Sequence, residues 1–301
     1  MFFLKNKLHM FKLTDIKVGY FVSYDYEYLL TSIKTLYDYV DHIVLAIDIN
    51  RKTWSGNKFD IPESFFDSIK KYDKKGIIEF YFEDFYVPNL TPMQCEVRER
   101  NLVLKKLGKR GWKIQLDVDE YIYDFKSVSN FLKRNWIFNV FPQLTPMQFR
   151  GKYITLFKET PKGFLYIDNK ERFSFITNGV ENEWARLDTK KPSFYSNISV
   201  IHQSWARKNE EIKQKINNWG HRDDFDTLSY YDFWMKLNDG NFKDYKNFHP
   251  MNSKMWDELY FLESEDIHDF IKKYSTSNPQ QIIKLDVFFL YNKIKNKLFK
   301  K

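Results

Sequence analysis

A single cysteine, Cys95, stands in the 301 residues. That excludes a disulfide within the chain and a cysteine-based zinc site. No apolar run approaches the ~18 residues needed to cross a bilayer, so no segment reads as a membrane span. Met1–Leu13 mixes lysines among its apolar residues and lacks the uninterrupted core of a signal peptide. The expectation is a cytosolic protein, with the sequons at Asn89 and Asn197 arising by chance. Glycine is sparse, at 10 residues, and no Gly-rich phosphate loop with a lysine follows the first strand. Without an internal repeat or a Gly/Ser linker, residues 1–301 read as one domain. No zinc-ligand, helix-turn-helix or RNP pattern occurs, and no long Lys/Arg block lies outside the termini. The net charge of +8 is therefore read without a nucleic-acid partner.

What the chain does have is apolar residues, 43% of the total against 29% charged, enough for a substantial core. Ile16–Ser23 reads as a buried strand, and Leu29, Ile33, Leu36 and Val40 recur at helical spacing. His42–Ile47 is a second strand ending at Asp48. A loop over Arg51–Asp60 leads to a helix with Phe65, Phe66 and Ile69 inward, then a strand at Ile77–Phe82. Thr91, Pro92 and Gln94 mark a capped helix start. That helix runs to about Leu107, where Gly108 and Gly111 end it. The β-α-β-α-β order predicts a parallel sheet covered by helices.

Beyond Phe125 the period changes. A short helix near Val128–Lys133 precedes strands at Leu144–Phe149, Ile154–Phe157 and Phe173–Ile176, expected antiparallel to part of the sheet, and another at Ile198–His202. Asn209–Trp219, Leu228–Leu237, Ile267–Tyr274 and Ile282–Phe299 read as helices. The expected division is a ligand-binding half over about 15–125, a second half over about 126–250 and C-terminal helices over about 251–301.

The stretch Lys113–Phe125 (KIQLDVDEYIYDF) carries the chemistry. A short apolar strand runs into Asp117-Val118-Asp119-Glu120. In extended chain, residues i and i+2 share a face, so Asp117 and Asp119 are expected to project together. Paired carboxylates repel unless a cation sits between them, and such oxygens suit Mg²⁺ or Mn²⁺. An ordinary acidic turn is the competing reading of the bare triplet. Parallel α/β sheets bind ligands beyond the C-terminal ends of their strands. Phe21-Val22-Ser23-Tyr24, Asp48 and the Asp117/Asp119 pair all fall there, forming a cleft fit for a nucleotide.

With these residues in view, the sequence resembles the GT-A-fold glycosyltransferases of the family-2-like kind. Four stretches carry the resemblance: the first strand with its helix; the second strand ending in Asp48; Glu99-Arg100-Asn101; and Leu116-Asp117-Val118-Asp119-Glu120. The family has Ala where this chain has Glu99. The resemblance implies a Rossmann-like GT-A sheet and a nucleotide-sugar donor, usually UDP-linked, held by Mn²⁺ or Mg²⁺. It implies Asp119 as the firmer metal ligand, Asp117 near the ribose or metal, and Arg100 supporting the phosphates or the acidic loop. Val22, Ser23, Tyr24 and Asp48 would line the nucleotide, and His202 would be a third metal ligand. Arg207 and Lys208 would meet the diphosphate, and His221 is a weaker cleft candidate. If configuration inverts, an acid takes the proton of the acceptor hydroxyl, and Glu183 with Glu181 in GVENEW is the candidate pair beside Trp184. The acceptor, whether glycan, protein or lipid-linked, is not specified.

Two other functions fit parts of this pattern. A nucleotidyltransferase or phosphohydrolase uses paired acids and Mg²⁺ as well. A non-catalytic glycan or nucleic-acid module would use the aromatics for stacking. The basic stretch Leu285–Lys301 reads as a packed helix with a solvated tail, with peripheral contact to an anionic membrane as the alternative.

Overall fold

The computed structural model of the protein describes residues 13–218, 225–252 and 255–284. Strand β1 (Ile16–Phe21) is buried along its whole length. Helix α1 (Leu29–Leu36) returns the chain to β2 (His42–Asp48), and α2 (Glu63–Tyr72) returns it to β3 (Ile78–Glu83). Helix α3 (Pro92–Leu107) begins with the expected capping box: Thr91 Oγ1 accepts from the Gln94 amide while the Gln94 side chain accepts from the Thr91 amide. It delivers β4 (Trp112–Asp117), which inserts beside β1. These four strands are parallel in the order β3-β2-β1-β4, as the βαβ reading predicts.

The rest of the sheet is mixed. After β5 (Glu120–Tyr121) and helix α4 (Phe125–Arg134) come β6 (Gln148–Thr160) and β7 (Gly163–Thr177), an antiparallel hairpin that pairs with β4 through β7. Strand β8 (Ser193–His202) runs parallel to β6 and antiparallel to β5. The full order is β3-β2-β1-β4-β7-β6-β8-β5, with β9 (Tyr260–Glu263) on β7. The expected mostly parallel sheet is thus wholly parallel at one end and mixed in the rest, where β6–β8 is a parallel pair among antiparallel ones. The stretches predicted as separate strands at Leu144–Phe149 and Ile154–Phe157 merge into β6, because its bulges keep the chain paired where the apolar period breaks.

Helices α5 (Asn209–Asn218), α6 (Thr227–Lys236) and α7 (Ile267–Ser277) fall close to their predicted spans. Residues 282–284 are not helical, and the remainder of the predicted C-terminal helix lies outside the described residues. The main core packs β1, β2 and β4 against α1, α2 and α4, through Val18, Ile33, Leu45, Ile69, Ile114 and Leu132. A second cluster around Phe157, Trp205, Trp234 and Trp256 closes the other side of the sheet's far half. Among the described residues, no helix is long and apolar enough to cross a membrane.

Candidate active site

The C-terminal ends of β1, β2 and β4 open into a cleft of about 690 Å³. Phe21, Val22, Ser23 and Tyr24 line it as the chain leaves β1. Val22 turns its side chain into the core, so its contribution is backbone. Ser23 Oγ donates to Asp25 Oδ1 at 3.0 Å. Asp48 also reaches the cleft, but its carboxylate is filled. Oδ1 accepts from the amides of Asn50 and Lys52 at 2.9 and 3.0 Å. Oδ2 accepts from those of Phe85 and Tyr86 at 2.9 and 3.1 Å. A carboxylate has room for about four donors. The geometry gives Asp48 two loops to fasten, where the sequence suggested a ribose or base to bind.

Asp117 and Asp119 both line the cleft, yet different cations hold them. Asp117 Oδ1 accepts from Arg100 Nη2 at 2.9 Å, and its Oδ2 meets Arg186 Nη2 at 2.5 Å. Burial works to raise this carboxyl, but the two guanidinium groups hold it below the usual carboxylate range. Arg186 also donates to both oxygens of Glu120, at 3.0 and 2.9 Å, and Glu120 accepts from Tyr153 Oη at 2.6 Å. Arg100 is 2% exposed, donates to Glu96 at 2.8 Å and stacks over Phe21, 4.2 Å from the ring centre. Its Nη1 is buried with no hydrogen-bond partner.

Asp119 lies on the turn between β4 and β5. Pairing of β5 with β8 sets Glu120 opposite His202, and the Gln203 amide donates to the Asp119 carbonyl at 2.9 Å. His202 Nε2 therefore sits 3.4 Å from Asp119 Oδ2. Arg207 Nη2 reaches the same oxygen at 2.5 Å and Asp25 Oδ2 at 3.2 Å. Against the effect of burial, His202 and Arg207 hold the Asp119 carboxyl well below its ordinary value. Lys208 is exposed on the start of α5, and His221 lies outside the described residues.

The structure does not bring Glu181 and Glu183 to this cleft. Both line a separate depression with Lys109 and Lys190. Glu183 accepts from Thr189 Oγ1 at 2.5 Å, and Glu181 lies 3.8 Å from Lys105. The loop that carries them sends Arg186, not an acid, to the Asp-x-Asp motif. Trp184 is 55% exposed.

Sequence reasoning missed Arg186, Glu120, Asp25 and the Trp54–Glu99 pair. Trp54 Nε1 donates to Glu99 Oε2 at 2.5 Å on the cleft wall. Burial pushes the Glu99 carboxyl up to about 8, although the indole N–H opposes it, so the group is protonated at neutral pH. Three acids within four residues at 117–120 call for cations, but nothing in the sequence chooses Arg186 over Lys190 and Lys191 in the same loop before β8.

Among the described residues, no group of three or more His, Cys, Asp or Glu side chains gathers for a metal ion. The donor set nevertheless fits a divalent cation at one point. Asp119 and His202 offer a carboxylate and an imidazole on the cleft wall, a combination that suits Mn²⁺. Arg207 shares that carboxylate oxygen and would compete for it. Asp117 does not fit as a ligand in this arrangement, since both of its oxygens are engaged by arginines.

No protein-family model matches the chain, nor does any curated protein. Among solved structures, it is similar to the mannose-6-phosphate isomerase of Helicobacter pylori, at 15% identity and TM-score 0.32, over 55% of this chain and 72% of that one. A likeness that loose carries no argument.

Proposed function

We propose that the protein is a glycosyltransferase of GT-A type that moves a sugar from a nucleotide diphosphate, of UDP type, to an acceptor hydroxyl. One observation carries the reading: Asp119, at the C-terminal end of the strand beside β1, is joined across the sheet by His202, on the wall of a nucleotide-sized cleft. The unpartnered Nη1 of Arg100 on the same wall supports an anionic ligand, because a buried guanidinium N–H without an acceptor is costly.

In this reading Asp119 and His202 hold Mn²⁺ or Mg²⁺, which when bound offsets the charge building on the departing diphosphate. Arg100 and Arg207 flank the diphosphate from two sides of the cleft. Asp117 and Glu120 keep Arg100 and Arg186 in place. Tyr153, hydrogen-bonded to Glu120 and stacked at 3.6 Å on Phe173, closes that wall. Phe21 and Trp54 form the aromatic end, suited to a nucleoside. Neither Glu181 nor Glu183 is assigned the acceptor's proton.

The test is donor binding and turnover. UDP, GDP and CDP, each with and without Mn²⁺, are compared by thermal shift. A nucleotide at ~100 times its Kd should stabilise the fold by about 2.7 kcal/mol. The Mn²⁺-dependent part should vanish in Asp119→Ala and in His202→Ala. Turnover of the matching nucleotide sugar should fall roughly 10²–10³-fold. Full turnover in both variants would sink the reading. Transfer of the nucleoside monophosphate with release of sugar 1-phosphate, in place of release of the nucleoside diphosphate, would assign a nucleotidyltransferase instead.

A further inference from the structure

From α4 to Leu144 the molecule shows a surface unlike the rest. Trp136, Ile137, Phe141 and Leu144 are 44%, 49%, 62% and 67% exposed. Scattered apolar residues on a surface are ordinary, but four large ones in one short stretch are not. They are not on a slack loop. Phe138 and Asn139 are buried beneath them. The Phe138 carbonyl accepts from Asn178 Nδ2 at 2.8 Å and from Thr145 Oγ1 at 3.1 Å, and the Leu144 amide donates to the Phe141 carbonyl at 2.9 Å. The backbone is fixed from inside, and the apolar side chains are presented outward.

Along the chain the charge beside them has one sign, and the acids that share a depression with Pro142, Gln143 and Pro146, namely Glu181, Glu183 and Asp188, stand there with Lys109, Lys190 and Lys191. No Asp or Glu occurs from Phe125 to Lys158. Helix α4 buries Phe125, Val128, Phe131 and Leu132 and exposes Lys126, Asn130, Lys133 and Arg134. Those four exposed positions have i, i+4, i+7, i+8 spacing, so they form one stripe along the helix. The chain also enters the described region here, since Asn139 Nδ2 donates to the Leu13 carbonyl at 2.9 Å. Residues 1–12, MFFLKNKLHMFK, have the same chemistry: apolar residues with Lys5, Lys7 and Lys12, and no acid.

We infer that this face, Trp136, Ile137, Phe141 and Leu144 beside Lys126, Lys133 and Arg134, docks on an anionic lipid bilayer. Aromatic and aliphatic side chains enter the boundary between headgroups and acyl chains, while lysine and arginine meet anionic headgroups. A second copy is a poor occupant, because a self-complementary contact would bring two basic stripes together without an acid between them. None of these residues lines the cleft, so the inference does not depend on the proposed reaction.

Sedimentation of the full chain with vesicles tests it. The chain should pellet with vesicles containing phosphatidylglycerol and stay in solution with phosphatidylcholine alone, and added salt should weaken the binding. Lys133→Gln with Arg134→Gln should lower the partition coefficient about thirtyfold. Trp136→Ser, Phe141→Ser and Leu144→Ser together should abolish binding while the melting temperature holds, since those side chains already face solvent. The inference is overturned if the wild-type chain ignores anionic vesicles, or if both sets of variants bind as well as wild type. It is also overturned if analytical ultracentrifugation shows a dimer that the serine variant dissolves.

Discussion

The two ends of the sheet are built differently. At the β3-β2-β1-β4 end, each parallel pair keeps its register without interruption. In the β6–β7 hairpin the register shifts at Phe149/Arg150, Lys152/Ile154 and Leu156/Lys158, and β6 shifts again against β8. The regular end supplies the acids, Asp117 and Asp119. Apart from Arg100 on α3, the irregular end supplies what holds them: Arg186 from the loop before β8, His202 from the end of β8 and Arg207 just beyond it. A site assembled this way needs a rigid frame for one set of groups and long-range pairing to deliver the other.

Breaking the link between the two ends should have the largest effect. Arg186→Met removes the cation shared by Asp117 and Glu120, whose side chain is 0% exposed. Leaving a buried acid unpaired typically costs about 3–5 kcal/mol. Urea unfolding should show a loss of that size with an unchanged m-value. A loss below about 1 kcal/mol would mean that Arg100 and Tyr153 alone compensate the acids.

How far the sequence revealed the molecule follows the same division. Strands β1 and β2 are buried on both faces and appear as mostly apolar runs, IKVGYF with one lysine and HIVLAI, bounded by turn residues; β4, WKIQLD, is as buried although Lys113 and Gln115 alternate with its apolar residues. The capping box at Thr91 is a local signal and was equally plain. Strand β6 carries Arg150, Lys152 and Lys158 among its apolar residues and shifts register against β7 three times, so its period points to two short strands in place of one. Strand β5 is two residues long and exists only because β8 pairs with it. In the site, Asp119 and His202 stood out by residue type, and the structure places them 3.4 Å apart. The arginines that hold the acids did not stand out, because an ion pair between distant segments leaves no periodic trace. Asp48 shows a different limit: a strand-end acid that accepts from four amides looks the same in sequence as one that binds a ligand.

Two buried titratable groups sharpen the comparison through opposite pH dependence. Lys17 and Lys113 are register partners on β1 and β4, and both side chains are buried. Lys17 Nζ donates to the Leu107 carbonyl at 2.6 Å, and Lys113 Nζ to the Asn178 carbonyl at 2.8 Å. Burial, with Lys17 nearby, lowers the Lys113 ammonium from 10.5 to about 7. Below pH 7 the folded protein carries the whole cost of a buried charge. Between pH 7 and 10.5 the unfolded chain holds a proton that the folded one has released, so stability rises with pH. Relative to Lys113→Met, the wild type should gain up to about 1.4 kcal/mol per pH unit across that window. Parallel stability curves for the two proteins would show that Lys113 does not titrate there.

Glu99 should slope the other way, and less steeply, because it sits on the cleft wall where water can approach. Its folded carboxyl is raised from 4.5 to about 8, chiefly by burial. Between those values the folded state keeps a proton that the unfolded chain has lost, so stability falls as pH rises. Glu99→Gln replaces the neutral acid with a neutral amide of the same shape that still accepts from Trp54. The variant should match the wild type near pH 4.5 and exceed it increasingly towards pH 8, by at most about 1.4 kcal/mol per unit. Chemical unfolding at a series of pH values reads the difference directly. A constant difference would place the Glu99 proton elsewhere and make the Trp54 contact an ordinary hydrogen bond to a carboxylate. A difference that grows only until a nucleotide is added would show that the ligand's own donors replace the proton, which ties Glu99 to the cleft's occupant.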